Sequence, residues 1–150
     1  MTYASNLYRI AAVLLVLFAA GHTMGFLTFA PPTVESRAVL DAMHTVRFSA
    51  NGGNFTFYGF YAGFGLFVSA YLLFAALVAW HLAGMARRAP EAIGGLGWSF
   101  FAVQLACLVL SRVYFFAAPV AFSALITVCA GVAAWLVRSA PAPLARGKAA

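Results

Sequence analysis

Four apolar runs, each about as long as a bilayer's hydrocarbon core is thick, constrain what this chain can fold into. They cover about Leu7 to Phe29, Phe57 to Ala83, Ala92 to Phe116 and Pro119 to Val137. A run of roughly 20 apolar residues reads as one crossing of a core about 30 Å thick. Lipid offers no hydrogen bond to a bare peptide group, so each crossing is expected to be a helix. Composition agrees, because 65% hydrophobic and 8% charged residues fall far from the about 25% charged of soluble domains. The expected fold is all-α: an antiparallel four-helix transmembrane bundle forming one domain over residues 1–137, followed by a disordered, basic, Pro/Ala-rich tail at 138–150.

The stretch Met1 to Ala20 has the charge and apolar core of a secretory signal. Its apolar run continues to Phe29, past an h-region of about 7–15 residues, so it is read as a retained span. Orientation follows from the cations outside the spans. Arg9, Arg87, Arg88, Arg138, Arg146 and Lys148 fall on one side, against Arg37, Arg47 and Arg112 on the other. Both termini are therefore expected to be cytoplasmic, in an inner (cytoplasmic) membrane. The net charge of +6 is accounted for by this topology and by lipid headgroups. Nucleic acid is not an expected partner, since no soluble surface carries a basic stripe.

The loops differ in kind. Residues 84–91, GMARRAPE, read as a short turn, and AAP at 117–119 as a tight hairpin with Pro119 opening the fourth helix. Residues 30–56 are long for a small bundle. There Thr33 can cap a short amphipathic extracytoplasmic helix, with Val39, Leu40, Met43 and Val46 on one face and Glu35, Asp41, His44 and Thr45 opposite. SANGGN at 49–54 then turns the chain into the second span.

Within lipid, helices associate where small residues let backbones approach. Gly21 with Gly25 and Gly59 with Gly63 are expected packing pairs, within the chain or between copies. His22 stands seven residues from Phe29, roughly 10 Å inside its helix end. On the third span Gln104, Leu108, Ser111 and Arg112 form a polar stripe that should face protein rather than lipid. Arg112 needs an acceptor, and Glu35 or Asp41 from the first loop are its candidate ion-pair partners. With Tyr58, Tyr61 and Tyr114 nearby in depth, these residues could line an apolar outer-half pocket with a polar floor. A histidine bonded to a backbone carbonyl in a closed outer half would argue against that pocket. His44 reads as a solvated loop residue, His81 as an interfacial one, and Cys107 and Cys129 as small packing groups.

Other chemistry is poorly served. His22 and His81 stand at different depths, which does not suit bis-histidine haem. No set of Cys, His and carboxylate converges on a metal, and no acid lies within the spans for proton coupling. No catalytic residue is assigned, whether the chain is an enzyme is left open, and no cofactor is named.

The residues GHTMGF at 21–26, Pro31 and Pro32, and the run from Tyr58 to Leu82 resemble a group of uncharacterised bacterial four-helix integral membrane proteins over nearly the whole chain. That resemblance implies a topology and no activity. In length and helix count the chain is also similar to the glutathione-handling MAPEG enzymes, but HTVRFSAN at 44–51 keeps only Arg47 and Asn51 of a comparable motif, without its glutamates. DoxX-like and emopamil-binding-like bundles are similar in outline, and the latter would imply acidic residues in the spans.

Three functional readings follow, all set in a lipid bilayer. The preferred one is a small polytopic membrane protein that associates with itself or with a membrane partner. The alternatives are a binding protein or enzyme for a lipid-like molecule (quinone, isoprenoid or sterol-like) and an oligomeric small-molecule transporter.

Overall fold

The computed structural model describes residues 2–139. The expected tail from 140 onward, with Arg146 and Lys148, lies outside the described residues. In chain order the elements are α1 (Thr2–Leu27), α2 (Val34–Thr45), β1 (Arg47–Ala50), β2 (Gly53–Thr56), α3 (Phe57–Arg88), a 3-10 turn (Pro90–Ala92), α4 (Leu96–Tyr114) and α5 (Ala117–Arg138). The class is all-α, and α1, α3, α4 and α5 are each long and apolar enough to cross a membrane.

The helix ends depart from the apolar runs for identifiable reasons. Hydropathy marks the part of a helix that lipid covers, whereas hydrogen bonding continues into polar turns. Hence α1 starts at Thr2 rather than Leu7, and α3 runs on to Arg88 rather than stopping at Ala83, with Arg87 and Arg88 in its last turn, where cations suit the helix dipole. Conversely, α1 ends at Leu27 before Pro31 and Pro32, and α4 starts at Leu96 rather than Ala92 because Gly94 adopts φ +48°. The α4–α5 link is Phe115 and Phe116, so Pro119 sits in the third position of α5 instead of opening it.

The described residues form two compact units, one of Val16–Phe74 and the other of residues 2–15 together with 75–139. In the second of these, segments of α1, α3, α4 and α5 meet through specific contacts. Ser5 Oγ donates to the Ala83 carbonyl at 2.8 Å, joining α1 to α3, and the fully buried Tyr8 meets Phe100 of α4 edge-on at 6.5 Å. Between α4 and α5, Thr127 Oγ1 donates to the Gln104 carbonyl at 3.0 Å, and Ser111 and Ser123 hydroxyls bond at 3.1 Å. The core is otherwise small and apolar: Ala11, Leu15, Ala79, Leu82, Ile126, Ala130 and Ala133. Alanine brings backbones close where lipid supplies no hydrophobic drive for association. Glycine instead makes room for an aromatic side chain, at 131 for the Phe101 ring and at 97 for Tyr8.

In the Val16–Phe74 unit the loop between α1 and α3 is ordered by local chemistry. Thr33 Oγ1 accepts the Ser36 N–H at 3.2 Å while Ser36 Oγ accepts the Thr33 N–H at 3.1 Å, a reciprocal cap on α2. The helix forms as expected, but its half-covered face is Ser36, Leu40 and Met43, whereas Val39 is exposed and Val46 stands beyond the helix as its C-cap. SANGGN is more than a turn. Asn51 (φ +51°) and Gly52 (φ +80°) join β1 to β2 as an antiparallel hairpin in register Phe48↔Phe55 and Ser49↔Asn54. Two consecutive positive φ values make the type I′ geometry that Asn-Gly favours. Phe48 then packs against Phe55, Phe57 and Phe60, and Thr56 Oγ1 caps α3 by accepting the Gly59 N–H at 3.0 Å.

Two outcomes follow for α2. Thr33→Ala is expected to cost about 1 kcal/mol of local stability, seen as faster amide exchange at residues 36–38. The Glu35 carboxyl is held below its usual range by its own backbone N–H and by the Thr33 hydroxyl. The folded helix therefore favours the charged form. Its contribution is present above the unfolded carboxylate pKa and disappears as the pH falls through the folded one. An NMR titration of the Glu35 carboxyl should show the lowered midpoint in the native chain and its return toward the usual value in Thr33→Ala.

Candidate functional site

The site singled out by the sequence is built where α1 and α3 meet. His22 Nε2 lies 3.1 Å from the Gly65 carbonyl oxygen. A carbonyl only accepts, so Nε2 is the donor in this bond. One turn on, the Phe26 ring stands 5.2 Å from the His22 ring and covers Gly65 so closely that a Cβ there would sit 2.9 Å from it. Phe26 in turn meets Tyr61 edge-on at 6.2 Å. On the neighbouring turns the Thr23 and Ser69 hydroxyls are 2.6 Å apart, Thr23 also donates to the Ala19 carbonyl at 2.8 Å, and Ser69 to that of Gly65 at 3.2 Å. Two hydroxyl protons serve these three bonds, so the pair shares them.

This arrangement clips two helices together. Its polar groups are spent on backbone carbonyls and on each other. The His22–Gly65 bond is the helix-to-helix use of histidine, the very contact that counts against a reactive imidazole at this position. His22→Leu is expected to lower stability by about 0.6–2 kcal/mol, read from reversible unfolding in mixed micelles.

The glycine pairs do not make this contact. An added Cβ at Gly21, Gly25 or Gly63 would meet nothing within 4 Å, and at Gly59 it would meet only the Thr56 hydroxyl of the α3 cap, at 3.1 Å. Helical phase explains it. At about 100° per residue, Gly21 and Gly25 lie about 60–140° round α1 from His22 and Phe26. On α3 the contact side carries Tyr61, Gly65 and Ser69, while Gly59 and Gly63 lie about 120–160° from Tyr61 and Gly65 and about 80–120° from Ser69. The two helices touch as expected, but through other residues.

The polar stripe of α4 divides. Gln104 and Ser111 are buried, Leu108 is half-buried, and Arg112 is exposed, contrary to the expectation that all would face protein. Arg112 is about 100° round from Ser111 and about 80° from Gln104. It lies in the last turn of α4, a position a cation favours through the helix dipole. Tyr114 is 73% exposed at the end of α4. Tyr58 is stacked on His44 with centroids 3.7 Å apart, which ties α2 to the start of α3. His44 is exposed, as expected of a solvated residue, and one face of its ring is taken by Tyr58. Glu35 and Asp41 lie on α2, both exposed. Cys107 and Cys129 are half-buried and outside any disulfide. Among the described residues no three His, Cys, Asp or Glu side chains are grouped to hold a metal ion.

Among the described residues, cavities open in the unit that contains α4 and α5. One, of about 380 Å³, is lined by Glu91, Ile93, Gly97, Trp98, Ala134 and Arg138 among others. The other, of about 470 Å³, is lined by Arg9, Trp80, His81, Gly84, Met85, Arg88 and Ala89. Both involve residues that sequence reasoning had set aside. The signal in the second case was the spacing of His81, Gly84 and Arg88, which puts all three on one face of α3.

Fold and site together define a multi-pass membrane protein. No protein-family model matches the chain, nor does any curated protein or solved structure. What the chain does is therefore argued from its own geometry.

Proposed function

We propose that this protein is a small polytopic membrane protein that works by association, with a second copy of itself or with a membrane partner. The observation that carries this reading is the open glycine surface at Gly21, Gly25 and Gly63. The glycines at 65, 97 and 131 are already filled from inside the chain, by the side chains of Phe26, Tyr8 and Phe101, and Gly21, Gly25 and Gly63 are not among them. A small-xxx-small face on a lipid-exposed helix is the surface on which transmembrane helices pair. The same reading has the chain in a bacterial inner membrane with both termini on the cytoplasmic side, that of Arg9, Arg87, Arg88 and Arg138, and the positive-inside rule supports it. An outer-half pocket for a quinone, isoprenoid or sterol-like molecule draws less support, because His22 gives its Nε2 proton to Gly65. The test is Förster transfer between donor- and acceptor-labelled copies in liposomes. Transfer that persists as lipid is added, and is lost in Gly21→Leu, supports the reading. Transfer that falls to the random-encounter level on dilution contradicts self-association, and a partner must then co-purify from native membranes.

A further inference from the structure

The cavity between the start of α1 and the end of α3 carries a cluster of cations that the associating surface does not use. Its lining holds two guanidinium groups, Arg9 and Arg88, and the His81 imidazole, with no carboxylate among them. The chain's three acids are Glu35, Asp41 and Glu91, and Glu91 lines the other cavity. Arg9 is held by Trp80, whose ring centre is 5.7 Å from its guanidinium carbon. The indole offers no hydrogen-bond acceptor, so that contact leaves the Arg9 N–H donors to point elsewhere. On the facing helix Arg88 folds back over Gly84, so that even a Cβ there would stand 3.3 Å from its Nη2. Glycine at 84 gives that guanidinium its place and keeps the cavity open.

Position supplies the rest. At about 1.5 Å per residue the 32 residues of α3 exceed a hydrocarbon core of about 30 Å by nearly 20 Å. The end bearing Arg87 and Arg88 stands at headgroup level, since an arginine within hydrocarbon is costly. His81 is about 10 Å below Arg88 along the same face, and Trp80 beside it suits the membrane interface. Planar guanidinium forks pair with phosphate through two parallel N–H bonds. A cavity of about 470 Å³ has room for a phosphate and its glycerol.

We propose that Arg9, His81 and Arg88 form a binding site for a phosphate group, supplied by the headgroup of an anionic phospholipid. Arg88 and Arg9 take the phosphate oxygens, Trp80 backs Arg9, and His81 offers a hydrogen bond deeper in the cavity.

The test titrates dioctanoyl phosphatidylglycerol into the full chain in a neutral detergent, followed by calorimetry, with inorganic phosphate as competitor. One saturable site per chain is expected, weakened about tenfold or more by Arg88→Gln or Arg9→Gln. Arg87→Gln, an equal charge change next door and outside the cavity lining, should alter the affinity by less than about twofold. Gly84→Leu keeps every charge but displaces Arg88, and should weaken binding as much as Arg88→Gln. All variants should elute and unfold like the parent. Competition by millimolar phosphate would assign recognition to the phosphate alone. Lipid binding without competition would assign it to the whole headgroup, and saturable phosphate binding without lipid binding would make the site one for the free ion. No saturable binding of either probe, or an Arg87→Gln effect equal to that of Arg88→Gln, would overturn the proposal.

Discussion

Gly97→Ala is expected to destabilise the chain by about 1–3 kcal/mol, and Gly97→Leu by more, although residue 97 lies in a transmembrane helix where alanine ordinarily favours helicity. A Cβ there would stand 2.7 Å from the Tyr8 hydroxyl and 3.2 Å from Ile93 Cγ2. Tyr8 cannot step aside, being 0% exposed and wedged against Phe100. Its hydroxyl is buried with no hydrogen-bond partner among the described residues. Such an orphaned group costs about 1–3 kcal/mol, so Tyr8→Phe should leave stability unchanged or raise it. The two substitutions share an atom and should not add. In the Tyr8→Phe background the cost of Gly97→Ala should fall by at least half, in reversible unfolding in mixed micelles. Equal costs in both backgrounds would mean that α1 and α4 do not meet at this point.

Gly21→Leu should do the opposite. It is expected to leave unfolding unchanged within about 0.5 kcal/mol, because nothing lies within 4 Å of the new Cβ and surface substitutions away from special features are nearly neutral. It should nevertheless weaken association by about tenfold or more, since a branched side chain on a small-xxx-small face keeps the facing backbone away. Gly63→Leu should behave likewise. Gly65→Ala provides the contrast: its Cβ would meet the Phe26 ring at 2.9 Å, so it should lower stability through the His22–Gly65 clip. Should Gly21→Leu unfold the chain, or Gly65→Ala leave it intact, glycines 21 and 65 would have been assigned the wrong roles.

These contrasts show what the sequence could and could not convey. Membrane-length apolar runs are read from composition alone, so all four spans were legible, and Thr33 announced α2 because a cap is a local device. The ends were not, since hydrogen bonding ignores the edge of the lipid: α3 continues through Arg87 and Arg88, and Gly94 holds back α4 until Leu96. The hairpin was legible in Asn51-Gly52, yet its strands are only four residues long, and SANGGN read as a plain turn. His22 was singled out as a polar residue within an apolar span. Its partner, the Gly65 carbonyl, is a backbone atom with no sequence signature. Helical phase separates Arg112 from Ser111 by about 100°, which a stripe drawn across a third of the circumference passes over. The glycine pairs were chosen by spacing, which indicates that a face is smooth without saying whether the chain itself fills it.

Native mass spectrometry of the full chain, released from a neutral detergent, addresses association most directly because it counts copies and weighs what they retain. The account predicts a peak at two or more chain masses, or at one chain plus a protein partner, shifting to the single chain in Gly21→Leu. A parent protein that flies only as one chain without a protein partner, while Gly21→Leu gives the same spectrum, would contradict it.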